Sequence, residues 1–549
     1  MKQGCSRFAA WTIALALLAP GCEDLSLNPQ TPAPQPKKVI KKKVLTERTT
    51  KSRSKPDAQE ELSVIEQAFE KSRFQAALSG SPEDLAVHRI TSEIEKYVEV
   101  GPTLVIWLID RTSSSFPLAS ACLPAARQFY QSESVRQWSA DDNQMLLTAV
   151  AALDDKVELL LDPPSSNPQS VRDAFDKISQ SAGGKELTFA AVGQLLKRYE
   201  NLRIEKRQIV IVLITDEAGD DSALVDEIAI ALKKHVIPVY AIGYAAPWGQ
   251  TNPFRKTSPG TKGGDTAAEQ PDEWPSHGPE SLYSERVHLP VSTSGFGFRS
   301  AELDDLVDSG FGPFGIERLC RAGGGAFLAI RRNAGSFSTF GATRTWPTGA
   351  EISFDTAVVA RYAPDYVPAE DYKKLIASNK ARQALHEAAK TGRADILDNP
   401  NLSFPKVDNE AQMKRQLDEA QQVSARVAPQ LDRLYETLLP GETDRDRLES
   451  PRWQVEFDYA LGRVIAAKVR NDGYNQMIAA LKAGKGPKGA STYVLEPADN
   501  YETSSALKKM ADKARTYLER VVKEHPGTPW AKFAQDDLKV PMGWKWQGS

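Results

Sequence analysis

At 549 residues the chain is longer than a single hydrophobic core normally serves, so more than one folded region is expected. Its 69 Lys and Arg stand against 72 Asp and Glu, a formal net charge of −3, which excludes the basic character of a nucleic-acid-binding protein.

The N-terminal residues 1–22 read as an export signal. Lys2 and Arg7 give a charged start, and Phe8 to Leu18 is an apolar run without a charge, shorter than the roughly twenty residues a membrane span needs. The run ends at Leu18-Ala19-Pro20-Gly21-Cys22, which resembles a lipobox except that Ala19 and Pro20 stand where leucine and a small residue are usual. Lipidation of Cys22, plain cleavage and an uncleaved anchor stay open, and each places the folded part outside the cytoplasm, in a bacterial cell envelope. Residues 23–56 are rich in Pro, Gln, Lys, Thr and Ser and read as a disordered tether. Its basic cluster from Lys37 to Lys55 is opposed by Glu47 alone, and suits either anionic headgroups or an extended spacer. With Cys5 in the signal and Cys22 at the lipobox, Cys122 and Cys320 remain for the folded body. They are either a disulfide or two buried thiols.

Residues 57–100 predict a helical lead-in. Leu62, Ile65, Ala68 and Phe69 recur at helical spacing, and Ser81-Pro82-Glu83-Asp84 opens a second helix carrying Leu85, Ile90, Ile94 and Val98. Strands and helices then alternate. The apolar run Thr103–Ile109 ends at Asp110, and a helix follows over Phe116–Gln131. Strands are expected at Met145–Leu153 and Val157–Leu161, the latter stopped by Pro163-Pro164. Helices begin at Asn167-Pro168 and at Thr188, after Gly183-Gly184. Ile209–Ile214 is a strand ending at Thr215-Asp216, Ser222–Lys234 a helix and Val236–Ile242 a strand. A Gly/Pro-rich insertion fills about 245–300, before a helix at Pro313–Arg321 and a sixth strand at Ala326–Ile330. This is the pattern of an α/β domain over 101–332, a doubly wound, mostly parallel six-stranded sheet whose ligands bind beyond the strands' carboxyl ends. After a short extended piece near Glu351–Val359, helical segments at 369–390, 410–438, 453–483 and 503–537 predict an all-α C-terminal domain over 350–549.

The polar residues at the strand ends carry the chemistry. Asp110-Arg111-Thr112-Ser113-Ser114 follows the first strand, Thr188 opens a helix, and Asp216 ends the fourth strand. Adjacent first and fourth strands would bring these to one edge as carboxylate and hydroxyl oxygens, the donors that Mg²⁺ or Mn²⁺ prefers. Two facing carboxylates would otherwise repel. The alternative is that Asp110 and Asp216 cap loops.

Asp-x-Ser-x-Ser, a later threonine and a later aspartate together resemble the metal-ion-dependent adhesion site (MIDAS) of von Willebrand factor type A (vWA) domains. Asp110, Thr112, Ser114, Thr188 and Asp216 match those positions in order, with Thr112 where a serine is usual. Ile237–Gly243 resembles the family's fifth strand. The resemblance covers the central two-fifths of the chain. It implies a cation held by side-chain oxygens with one position left for a protein partner's Asp or Glu, and no chemical turnover. It also implies that the helices bearing Cys122 and Cys320 pack on one sheet face, where a bridge would restrain the last helix. Near the C-terminus, His525-Pro526-Gly527-Thr528-Pro529-Trp530-Ala531 within 503–537 resembles part of a tetratricopeptide repeat, about one repeat long.

Other features are less directive. Glu217, Asp220 and Asp221 either support the site from behind its donors, or deter acidic ligands, or form a solvated loop and first-turn acids complementing the next helix, the last being the expectation. Trp248, Trp274, His277, Glu280, Tyr283 and His288 in the insertion suit either a recognition flap or surface decoration. Gly183-Gly184-Lys185 is followed by Glu186 where a phosphate loop requires Ser or Thr. The six histidines are scattered, and no hydrolase motif is present. The expectation is a membrane-anchored binding module and not an enzyme, working through the cation or, alternatively, as a metal-independent scaffold that binds through its helical C-terminal part.

Overall fold

The computed structural model describes residues 80–140, 144–181, 185–204, 206–216, 218–246, 280–289, 292–293, 297–298, 309–330, 336–339, 342–345, 356–391, 394–397, 400–406, 409–501 and 504–548. The signal, Cys22, the tether, the first lead-in helix, Gly183, Gly184, Glu217, Trp248, Trp274 and His277 lie outside them. So does Glu351 to Asp355 of the expected extended piece, whose remainder forms a helical turn over Thr356–Val359.

Helix α1 (Pro82–Val100) starts as its sequence predicts. Ser81 and Asp84 exchange backbone-to-side-chain bonds at 3.1 Å, a reciprocal cap that satisfies two donors the first turn leaves open. Six strands follow as the central sheet: β1 (Thr103–Asp110), β2 (Leu146–Leu153), β3 (Val157–Ser165), β4 (Gln208–Ile214), β5 (Val239–Tyr244) and β6 (Ala326–Ile330). Their order is β3-β2-β1-β4-β5-β6, with every pairing parallel except β2–β3. Strand β3 runs past Pro163-Pro164 to Ser165 instead of stopping there. An edge strand has one side without a ladder to donate to, so proline is tolerated on it. Strand β5 begins three residues later than expected, because Val236 ends the preceding helix in the left-handed region at φ 52°.

The sheet separates two cores. On one face Val105, Trp107 and Ile109 of β1 pack with α1, α2 (Phe116–Phe129) and α4 (Pro168–Asp176), helix α3 (Glu133–Ala140) lying between the last two in sequence. On the other, Leu104, Ile106 and Leu108 pack with α5 (Thr188–Arg198), α6 (Val225–His235) and α7 (Phe314–Gly323). This alternation places Cys122 in the first core and Cys320 in the second, both buried and both free thiols. The bridge weighed from the sequence is therefore corrected. The two helices lie on opposite faces, with the sheet between them.

The C-terminal part is mainly helical: α8 (Ala369–Ala377), α9 (Lys380–Ala389), α10 (Glu410–Leu438), α11 (Pro451–Lys482), α12 (Ser505–Glu524) and α13 (Pro529–Leu538). It is not all-α. A three-stranded antiparallel sheet pairs β7 (Ser403–Pro405), β8 (Thr492–Ala498) and β9 (Gly543–Gly548), carrying Trp544 and Trp546 beside Tyr474, Tyr493 and Phe404. The stretch that resembles a repeat is one pair of helices, α12 and α13, joined through Gly527 at φ 76°. Described residues from Gly80 onward belong to one compact unit, Phe74–Ser549. Val287, Leu289 and Phe314 share a single core with Tyr372, Leu385, Trp453, Leu461 and Trp530 of the helices. Among the described residues no helix is long and apolar enough to cross a membrane.

Candidate metal centre

The site lies where β1 and β4 end side by side. Their parallel register sets Ile109 beside Ile214, so Asp110 and Thr215 leave the sheet together. Asp110 is fully buried. Its Oδ1 accepts from the Thr112 amide at 3.0 Å and the Thr112 hydroxyl at 2.8 Å, and its Oδ2 accepts from the Thr215 hydroxyl at 2.9 Å. Burial pushes this carboxyl above the usual range, while the bonds from Thr112, Thr215 and Ser115 oppose that shift. The Thr112 and Ser114 hydroxyls are 3.3 Å apart, and the Asp216 amide donates to Ser115 Oγ at 3.1 Å. Asp110, Thr112, Ser114 and Asp216 are thus gathered at one sheet edge.

Thr188 begins α5, whose N-terminus is capped from another loop. Asp221 accepts from the Phe189 amide at 3.2 Å and the Ala190 amide at 2.6 Å, while Leu187 at the cap position offers no side-chain acceptor. Asp220 holds the preceding turn, its carboxylate accepting from the Glu186 amide at 3.1 Å and its own amide donating to the Glu186 carbonyl at 2.8 Å. Asp220 stays exposed and Asp221 half-buried, and beyond the solvated loop expected of them they tie the Thr188 loop to the Asp216 loop. Gly243 of β5 keeps the same floor tight, since a Cβ there would sit 2.6 Å from the Thr215 carbonyl oxygen.

Sequence reasoning missed one acid. Oxygens of Asp110, Glu186 and Asp216 lie within 4.8 Å of one another, all three residues being buried. Glu186 had registered only as the residue that spoils a phosphate loop. The signal was local: Glu186-x-Thr188 repeats the spacing of Asp110-x-Thr112. Arg111, between the first two donors, turns away from them to Asp154 and Glu158, both at 2.7 Å, and holds the β2–β3 end.

Two observations fit a hard divalent cation. The donors are carboxylate and hydroxyl oxygens with no sulfur or imidazole among them. The Thr188 hydroxyl is completely buried and makes no hydrogen bond among the described residues, a costly arrangement unless something else takes its oxygen.

No family model matches the sequence, and no curated protein matches it. Solved structures do. The vWF domain of the type V pili tip protein Mfa5 from Porphyromonas gingivalis is 12% identical over 20% of this chain and 37% of its own, with a TM-score of 0.18. The manganese-loaded TRAP protein of Plasmodium vivax is 17% identical over 26% of this chain and 57% of its own, TM-score 0.21. Proximal thread matrix protein 1 from the mussel byssus, with a zinc-occupied MIDAS motif, is 19% identical over 27% and 36%, TM-score 0.22. The chain thus spans less than two thirds of the length of the first two. The strand order and crossovers, with one antiparallel edge strand, make the central sheet a doubly wound α/β sheet, the architecture expected from the sequence.

Proposed function

We propose that the chain is a cell-envelope binding module that captures a protein partner in a divalent-cation-dependent way. The observation that carries the reading is the convergence of three buried carboxylates and the bond-free Thr188 hydroxyl at the carboxyl edge of a doubly wound sheet. Asp110, Thr112, Ser114, Thr188 and Asp216 would hold Mg²⁺ or Mn²⁺, directly or through water. The cation supplies charge that lets the loops bearing these residues lie close together. Asp110 and its partners Thr112 and Thr215 fix the first loop, and Asp221 fixes the start of α5. Envelope attachment through Cys22 is supported by the apolar run and the lipobox-like ending alone. The scaffold alternative, with the helices binding a partner without metal, has no comparable constellation behind it among the described residues.

Calorimetric titration of the chain with Mg²⁺ and Mn²⁺, beside Asp110→Ala, tests the reading. One saturable site lost in the variant is expected, together with chelator-sensitive partner capture. Absence of cation binding by the unaltered chain would refute it.

A further inference from the structure

Building on that cation-site reading, we infer that Glu186 is a ligand supplied by the chain itself, which closes the site and removes the need for a partner's carboxylate. The resemblance to MIDAS motifs implies two aspartates and an open position for an outside acid. Here a third acidic group already stands at that place in the charge balance. Glu186 is 4% exposed, Asp216 1% and Asp110 fully buried, so the three oxygens within 4.8 Å of one another face the interior and not solvent.

Charge makes the same point. Three carboxylates around a divalent ion leave a net charge of −1, and an incoming Asp or Glu would meet repulsion in a poorly solvated setting. With two carboxylates the site would be neutral and an outside acid tolerable. The backbone of Glu186 is also held on both sides, by the Asp220 carboxylate at its amide and the Asp220 amide at its carbonyl. Its side chain is therefore delivered by a fixed turn that shares an anchor with the Asp216 loop. The cation then acts by locking three loops together, and a partner reads the locked surface. Asp220 and Asp221 are positioning residues in this scheme.

The test uses Mn²⁺ as the probe on the full chain, with affinity from calorimetry and bound water from water-proton relaxation. Wild type should bind one Mn²⁺ with low relaxation enhancement that added acetate leaves unchanged. Glu186→Gln should bind at least about tenfold more weakly and gain relaxation enhancement that acetate suppresses, as an opened position exchanges water for carboxylate. Asp110→Ala should not bind. Equal affinity and relaxation in wild type and Glu186→Gln would overturn the inference while leaving the cation site standing. So would acetate-sensitive, water-rich Mn²⁺ in the wild type, a result that does not depend on how any variant folds. Failure of the wild type to bind Mn²⁺ would remove the cation reading and this inference together.

Discussion

Replacing Arg452 by methionine probes the most demanding electrostatic arrangement in the molecule. The guanidinium is 1% exposed, gives Nη2 to Glu280 at 2.7 Å and Nε to Glu285, and reaches the Tyr362 carbonyl oxygen through Nη1 at 3.1 Å. Glu456, one turn along α11, and Arg286 are buried beside it. Glu280, Glu285 and Glu456 thus face Arg452 and Arg286, and the substitution leaves three acids against one base. Methionine retains much of the stem's volume, so the cavity contribution is small. Stranding a buried charge costs about 3–5 kcal/mol, and urea denaturation near about pH 8 should show a loss of that size. The deficit should also depend on pH. Burial already pushes Glu285 and Glu456 up to about 7 from an ordinary 4.5, with Arg452 pulling both down. The folded chain therefore binds more protons than the unfolded one between those values. The stability these two acids contribute is full below the lower value and lost as pH rises through the upper one. Without Arg452 the window extends upward, so acidifying to about pH 5.5 should restore much of the loss as Glu285 and Glu456 take up protons. A loss below about 1 kcal/mol near neutral pH, or one equal at both pH values, would refute the reasoning.

Two further outcomes follow from the geometry. Asp221→Ala removes the acceptor for the Phe189 and Ala190 amides, so it should cost about 1–2 kcal/mol in urea denaturation and weaken Mn²⁺ binding through Thr188; unchanged values for both would deny its capping role. Digestion under non-reducing conditions should yield Cys122 and Cys320 as separate free thiols that label only on unfolding, and a cross-linked peptide would contradict their placement on opposite sheet faces.

The sheet was legible because its inner strands are mainly apolar runs that end at polar or charged breakers. Ile209–Ile214 before Thr215-Asp216 is one, and it fixed where Asp216 would sit. The positions of Asp110, Thr112, Ser114, Thr188 and Asp216 were legible for the same reason, each lying at or next to an element boundary. Glu186 was not, since its spacing to Thr188 is a local signal of position alone and says nothing of burial; the Asp220 bonds that hold it come from 34 residues away. The faces of α2 and α7 were equally hidden, because helical periodicity says which stripe is buried and not against which side of a sheet. In α11, buried Arg452, Glu456, Asp458, Arg463 and Asn471 share the helix with apolar residues, and the pattern reads as helix without disclosing that it is enclosed on all sides. The small C-terminal sheet escaped notice because β7 is three residues long and pairs with a strand almost ninety positions later.

The core shared by Val287, Leu289 and Phe314 with the C-terminal helices bears on how such a chain can be inherited. Arg318 on α7 bonds both Asp226 at 2.8 Å and the Tyr366 carbonyl oxygen at 3.1 Å, and the Ala369 amide returns to Asp226 at 3.0 Å. A recombination event cutting near residue 340 would strip apolar cover from both products and strand these groups in each. A descendant that kept the sheet alone would therefore have to rebuild the face that α8 and α11 now cover.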